Sequence, residues 1–169
     1  RNDQPYFEVY SATLGSSVTF RRDEAAPEGF ARYIEGCIRL LQDRGVDMPN
    51  LRIHVNSNLP LGTGLSSSAA LEVGTLRALR ELLGFQLDDT ELALIAQRAE
   101  IEYAGVMCGV MDQMASSLAD SEHMLFIDAR TLETRLLPFP AGCELIVIDS
   151  GMPRTLAASA YNVRRAECE

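Results

Sequence analysis

Residues 60–72 read Pro-Leu-Gly-Thr-Gly-Leu-Ser-Ser-Ser-Ala-Ala-Leu-Glu, which joins a glycine-bearing loop to three hydroxyl side chains and then to a helix-forming segment. Gly62 and Gly64 lack a Cβ, so the backbone there can adopt otherwise strained angles and bring its N–H groups against a ligand. The serines at 66–68 fall where a helix begins, and the unpaired amides and positive dipole end at such a place favour an anion. The stretch therefore predicts a phosphate-binding loop, and a helix N-cap after an ordinary turn is the alternative.

This loop differs from the two common nucleotide-binding loops, because it has neither a Gly-Lys-Ser/Thr ending nor a third glycine. Its order Pro-x-Gly-x-Gly-Leu-Ser-Ser-Ser-Ala resembles the second motif of the GHMP small-molecule kinases, which are named for galactokinase, homoserine kinase, mevalonate kinase and phosphomevalonate kinase. The resemblance implies that ATP is bound by the motif positions Pro60, Gly62, Gly64, Leu65, Ser66, Ser67, Ser68 and Ala69.

Two further stretches resemble segments of the galactokinase family. Residues 99–113 contain Ala-Glu, then Ala-Gly, then Cys-Gly-Val-Met-Asp-Gln, similar to the segment that carries a metal-binding glutamate and the catalytic aspartate. Residues 149–168 resemble the stretch that supplies a tyrosine beside the sugar. The resemblance implies Asp112 as the catalytic residue, Ser68 and Glu100 as Mg²⁺ ligands, and Gly109, Asp112 and Tyr161 as sugar contacts.

Each of these side chains also has an ordinary structural explanation. Asp112 could simply complement a helix dipole, and Tyr161 could be a core aromatic. Glu102 competes with Glu100, and the two point about 200° apart on an ideal helix, so only one of them can face the loop. Mg²⁺ keeps several waters, so one serine, one carboxylate and phosphate oxygens would suffice to hold it.

The composition limits the possible partners. A chain of 169 residues with 47% hydrophobic residues predicts one soluble globular domain. The net charge of −9 argues against nucleic acid or an anionic membrane as a partner. The resemblance implies a small-molecule sugar and ATP as the ligands. Because no lysine-rich patch is available, backbone amides, a helix terminus and a divalent ion would have to hold a triphosphate. Four cysteines without Cys-x-x-Cys spacing indicate reduced thiols and a cytoplasmic location.

Hydrophobic periodicity predicts an α+β domain. Alternating residues predict a hairpin over 6–22 that turns at Leu14-Gly15, and a strand over 51–55. We expect helices from Pro27 to Gly45, over 66–83, from Asp88, over 110–118 and from Leu156, and strands over 124–128, 131–137 and 144–149, the last apolar enough to be central in a sheet. This order fits helices packed on one face of a mixed, mostly antiparallel sheet, as in the N-terminal lobe of a GHMP kinase, which is similar to domain 2 of ribosomal protein S5.

Two parts of the family pattern have no match in residues 1–169. These are the first motif, Gly-Arg-x-Asn-x-x-Gly-Glu-His-x-Asp, and the glycine-rich third motif with the C-terminal lobe. We therefore expect residues 1–169 to be a single domain and a fragment of a longer protein. The fragment alone should be inactive and could self-associate through exposed apolar surface, whereas the parent should be a monomer.

Two classes of function remain. The first is a sugar kinase that uses Mg-ATP and phosphorylates the anomeric hydroxyl of galactose, or a related sugar such as galacturonate, arabinose or N-acetylgalactosamine. The second is a non-catalytic galactose and ATP sensor on the same fold. Such sensors lose or alter serines of the second motif, and all three serines are present here, which favours the enzyme.

Overall fold

The computed structural model describes residues 3–148 and 160–168, and it has the predicted α+β architecture. Helices and strands follow one another in the order β1 (Phe7–Ser11), β2 (Ser16–Phe20), α1 (Ala31–Asp43), β3 (Arg52–Val55), α2 (Ser67–Leu83), α3 (Asp89–Glu102), α4 (Met111–Leu118), β4 (His123–Ile127), β5 (Thr134–Pro138) and α5 (Ala160–Cys168).

The first three strands form one mixed sheet in the order β2-β1-β3. β1 and β2 are antiparallel and meet at a turn in which Gly15 has a φ of +60°, so the predicted hairpin is confirmed. β3 runs parallel to β1, and α1 makes the connection between β2 and β3. Phe7 and Val9 point into the core beneath the helices, whereas the rings of Tyr10 and His54 lie side by side on the other face, 5.2 Å apart. The helices therefore cover one face of this sheet.

The later strands form a second sheet. β4 and β5 are antiparallel, and they pair only with each other in the described part of the chain. Leu125 and Ile127 of β4 pack against a small cluster that contains Met114 of α4. The predicted strands are thus divided between a mixed sheet and an antiparallel one.

The predicted central strand over 144–149 is wrong for the residues that the structure describes, 144–148. Leu145, Ile146 and Ile148 are 79–85% exposed and belong to neither sheet. A run of β-branched residues favours a strand, but its backbone needs a neighbouring strand to pair with, and no described strand lies beside it. The predicted last helix is present as α5 from Ala160, and residues 149–159, where we expected it to begin, lie outside the described residues.

The core is closed by a tight crossing of α1 and α3. Gly36 of α1 faces Ala99 of α3, and a Cβ added at Gly36 would lie 2.8 Å from Ala99 Cβ and 3.0 Å from Ala99 Cα. Both neighbouring atoms are held by the helix backbone, so they cannot move aside as a flexible side chain would. The crossing therefore requires a residue without a side chain at this position.

We predict that Gly36→Ala destabilises the protein by about 1–3 kcal/mol, because overpacking outweighs the roughly 1 kcal/mol gain in helix propensity. Gly74 of α2 is the matched control, since a Cβ there meets no atom within 4 Å. Gly74→Ala should be neutral or stabilising by up to about 1 kcal/mol. Chemical unfolding of both variants checks this, and equal effects of the two substitutions would contradict it.

Candidate active site

The loop before α2 curls through three residues with positive φ. Gly62 and Gly64 have φ angles of 70° and 82°, and Ser66 has a φ of 53°, in the left-handed region. This conformation costs a non-glycine residue about 1–2 kcal/mol. The glycines of the motif thus have the conformational role that the sequence predicts, and Ser66 adopts a strained angle directly before the first turn of α2.

The N-terminus of α2 has no side-chain cap. Ser66 contributes only its backbone oxygen, which accepts a hydrogen bond from the amide of Ala70 at 3.0 Å. By contrast, Asp88 caps α3 in a capping box with Glu91, with a hydrogen bond of 2.8 Å. In an α-helix the amides of the first turn have no partner within the helix, so this end of α2 offers unpaired donors and a positive dipole end to a ligand.

No charged side chain lies in the loop itself. Between His54 and Glu72 the sequence contains neither an acid nor a base, and all 15 basic residues of the chain are arginines. An anion at the N-terminus of α2 would therefore meet backbone amides and hydroxyls rather than ammonium groups. A bound cation would be needed to offset the charge of a triphosphate.

Ser68 and Glu100, which are distant in sequence, are in direct contact. Ser68 Oγ donates to Glu100 Oε1 at 3.0 Å, and this bond joins the first turn of α2 to the last turn of α3. Glu100 is only 4% exposed, whereas Glu102 is exposed and is paired with Arg98 at 2.9 Å. The choice that the sequence left open is thereby decided, because Glu100 faces the loop and Glu102 faces solvent.

Two residues to which the sequence analysis gave no role complete this cluster. Gln113 Nε2 donates to Glu100 Oε2 at 2.6 Å and to Glu72 Oε2 at 3.3 Å, and both Gln113 and Glu72 are fully buried. Glu72 lies one helical turn after Ser68 on the same face of α2. The four-residue spacing from Ser68 could have indicated that Glu72 lies beside the site. A glutamate on a helix is more often solvated, so this spacing alone did not single it out.

Burial and mutual repulsion shift the titration of this cluster. Burial, and then the negative charge of Glu100, raise the pKa of Glu72 to about 10. Burial also raises the pKa of Glu100; the hydrogen bond from Ser68 opposes that shift and the charge of Asp112 adds to it. Burial, followed by the charge of Glu100, raises the pKa of the Cys108 thiol to about 12. Near neutral pH the raised pKa values keep Glu72 and Cys108 protonated, and a cation beside Glu100 would favour the charged form of that carboxyl.

The other predicted site residues lie near the start of α4. Asp112 is half-buried in the first turn of α4, and its effect on the pKa of Glu100 indicates that the two carboxylates are near one another. Gly109 is exposed in the loop just before α4. The side chain of Tyr161 lies outside the described residues. Its neighbour Asn162 accepts from the Met107 amide at 3.0 Å, and this bond holds α5 against the same loop.

A cavity of about 290 Å³ adjoins the loop. It is lined by residues at and after the end of β3, by Leu61, and by the face of α2 that carries Ser67, Ala70 and Gly74. Its volume is near the lower end of the range for small-molecule sites. A larger open depression of about 850 Å³ lies at the C-terminal ends of α1 and α2, but none of the predicted site residues lines it. The smaller cavity is therefore the one associated with the site.

Comparison with known proteins identifies the family. The sequence pattern described as the GHMP kinases N terminal domain matches residues 32–120, which is more than half of the chain. The chain belongs to the GHMP kinase family. The matched range includes the loop, Glu100 and Asp112, so it covers the cluster described above.

Within the GHMP kinases the chain is similar to galactokinases. It is 40% identical over 168 residues to the galactokinase of Thermotoga neapolitana and 45% identical over 164 residues to that of Thermotoga petrophila, covering 99% and 96% of this chain. The chain spans about half the length of these curated relatives, 48% and 47% respectively. The crystal structure of Lactococcus lactis galactokinase complexed with galactose matches 98% of this chain and 45% of that protein, with a TM-score of 0.82 and 27% identity.

More distant GHMP kinases share the fold alone. The Methanococcus jannaschii mevalonate kinase matches 79% of this chain with a TM-score of 0.62 and 20% identity. The predicted resemblance to the GHMP kinases and to the galactokinase family is confirmed. In the described ranges, no helix is both long and apolar enough to cross a membrane.

We predict that Glu72→Gln flattens the pH dependence of the stability of this GHMP kinase. Folding raises the pKa of Glu72 from about 4.5 to about 10, so the folded state binds a proton that the unfolded chain releases. The stabilising contribution of Glu72 is complete below the lower value and is lost as the pH rises toward the higher one. The urea midpoint of the full-length protein can be measured without divalent metal between about pH 5 and about pH 8. As the pH rises, this midpoint should fall less steeply in the variant than in the wild type.

Ser117→Ala is a suitable control, because Ser117 is buried on α4, has no charge to lose and donates to the Asp89 backbone oxygen at 2.7 Å. Ser117→Ala should lower the urea midpoint by a similar amount at every pH, without changing the slope of midpoint against pH. Parallel pH curves for the wild type and Glu72→Gln would contradict the raised pKa of Glu72.

Proposed function

We propose that the full-length protein is a kinase that transfers the γ-phosphoryl group of Mg-ATP to the anomeric hydroxyl of galactose. The observation that carries this proposal is the contact between Ser68 and Glu100 at the uncapped N-terminus of α2, with Asp112 close by on α4. A phosphate site, a pair of oxygen ligands and a carboxylate that can accept a proton are the parts that phosphoryl transfer requires.

The loop and the first turn of α2 would bind the phosphates of ATP. Pro60, Gly62, Gly64 and Leu65 would shape the loop, and Ser66–Ala69 would present amides and hydroxyls to the phosphate oxygens. The adjoining cavity, lined by Leu61 and α2, would take the nucleoside. In this arrangement the phosphates lie at the positive end of the helix and the nucleoside lies along its side.

The residues present fit a magnesium ion. Ser68 Oγ and Glu100 are neighbouring oxygen donors, and a cation would offset the burial and the Asp112 charge that raise the pKa of Glu100. Among the described residues no group of three or more His, Cys, Asp and Glu is arranged to hold a metal, so the remaining ligands would be water and phosphate oxygens, as Mg²⁺ prefers. When bound, Mg²⁺ would offset the phosphate charge and orient the γ-phosphoryl group.

Asp112 would orient the sugar hydroxyl and accept its proton. The anomeric oxygen forms a bond to the γ-phosphorus, the bond to the bridging oxygen breaks, and ADP leaves with that electron pair. The hydroxyl proton passes to the Asp112 carboxylate. An ordinary aspartate is a weak base, so it takes this proton late in the reaction, and most of the rate enhancement comes from alignment and charge stabilisation.

Galactose is the proposed acceptor because the Thermotoga relatives are named galactokinases and the matched Lactococcus lactis galactokinase structure is complexed with galactose. Gly109, Asp112 and Tyr161 would contact the sugar. We also propose a cytoplasmic monomer that uses only these small molecules and has no nucleic-acid or membrane partner, in keeping with the net charge of −9.

A sugar panel tests the substrate. We expect the full-length protein to show its highest kcat/KM with galactose, when the panel also includes galacturonate, arabinose and N-acetylgalactosamine. ADP release in a coupled assay is the measurement. Much higher kcat/KM with another sugar would reject galactose, and an absence of turnover with every sugar would favour a non-catalytic sensor.

Asp112→Asn should lower kcat by about a hundredfold or more while the KM for ATP changes little, because the amide keeps the shape but cannot accept the proton. Asp120→Asn is the control, since this exposed aspartate lies beyond the other end of α4, about 12 Å away along the helix axis. Steady-state kinetics of both variants provide the check. A near wild-type kcat for Asp112→Asn would remove this residue from the mechanism.

A further inference from the structure

One buried amide joins the three helices that surround the site. Gln113 projects from α4 and donates from Nε2 to Glu100 Oε2 of α3 at 2.6 Å and to Glu72 Oε2 of α2 at 3.3 Å. All three side chains are at most 4% exposed. Because these side chains are buried from bulk solvent, each hydrogen bond strongly constrains the groups it joins.

The two oxygens of Glu100 are held from opposite directions. Oε1 accepts from Ser68 Oγ at 3.0 Å, and Oε2 accepts from Gln113. Without the bond to Oε2 the carboxylate could rotate about its terminal torsion, which is broad and weakly constrained in glutamate. The Gln113 amide therefore sets the plane of the carboxylate whose other oxygen meets Ser68.

The Gln113 amide is oriented so that its nitrogen donates to both glutamates, and its own oxygen is left without a partner. Gln113 Oε1 is buried without a hydrogen-bond partner, and so is Glu72 Oε1. An acceptor that is buried without a partner is unfavourable. Exchanging the amide oxygen and nitrogen would place an oxygen 2.6 Å from Glu100 Oε2, so the observed orientation is the one that the Glu100 carboxylate requires.

We propose that Gln113 is a positioning residue for the Glu100 carboxylate, and that Glu72 is the buried anchor that holds Gln113 in place. This rests on the proposed kinase function, in which Ser68 and Glu100 hold Mg²⁺. Because Gln113 directly follows Asp112 on α4, the same contact also fixes the first turn that carries Asp112. Substrate alignment and metal binding would thus depend on one amide.

The test measures Mn²⁺ binding to the full-length protein by electron paramagnetic resonance, in the presence of a non-hydrolysable ATP analogue. Gln113→Met keeps the length and removes the donor, and it should weaken Mn²⁺ binding by about tenfold or more, as expected for a residue behind a metal ligand. Affinity for the analogue without metal should change little. Ser117→Ala, which removes a buried hydrogen bond from the same helix, should reduce stability and leave Mn²⁺ binding unchanged.

Glu72 provides a second route to the same conclusion if Gln113→Met does not fold. Glu72→Leu removes the acceptor that anchors Gln113 and should weaken Mn²⁺ binding. Glu72→Gln retains an acceptor oxygen and should bind Mn²⁺ more tightly than Glu72→Leu. Equally weak binding by both Glu72 variants would show that an acceptor oxygen at this position does not preserve the site, and would overturn the anchor role.

Glu100→Gln separates this proposal from the proposed function. If Glu100→Gln loses Mn²⁺ but Gln113→Met binds it as the wild type does, the positioning role is wrong and the kinase site stands. If Glu100→Gln binds Mn²⁺ with wild-type affinity, the metal assignment itself fails, and the positioning role fails with it.

Discussion

The hydrogen bond between Ser68 Oγ and Glu100, 3.0 Å long, is the contact around which the site is built. It links the first turn of α2 to the last turn of α3, and Gln113 brings α4 to the same carboxylate. Three helices therefore meet at one buried acid. A buried carboxylate without a full charge partner is costly. The loop before α2, the pair of Ser68 and Glu100, and Asp112 all take their relative positions from this junction.

The electrostatics of the site follow from the absence of basic side chains. The stretch between His54 and Glu72 has no charged residue, so an anion there would meet the uncapped α2 terminus and the left-handed turn at Ser66. Behind this loop, burial raises the pKa of both Glu72 and Glu100, and the value of about 10 for Glu72 keeps that carboxyl protonated near neutral pH. In the proposed site, helix amides for an anion and the Glu100 carboxylate for a cation would be complementary.

Local signals predicted most of the fold, because they act within a few residues. The turn at Gly15, the Asp88 capping box and the α2 stop at Gly84 are of this kind. Interactions between distant segments were harder to predict. Residues 144–148 have strand-like composition, but no strand in the described ranges lies beside them. The motif identified Ser68 and Glu100, whereas the choice against Glu102 and the roles of Glu72 and Gln113 arise only where the three helices meet.

Anomalous scattering from Mn²⁺ would locate the metal in crystals of the full-length protein with galactose and a non-hydrolysable ATP analogue. We expect a peak at about 2.1 Å from both Ser68 Oγ and a Glu100 oxygen, with the analogue phosphates at the N-terminus of α2. A Mn²⁺ peak elsewhere, with the hydrogen bond between Ser68 and Glu100 intact and the phosphates away from α2, would contradict this expectation.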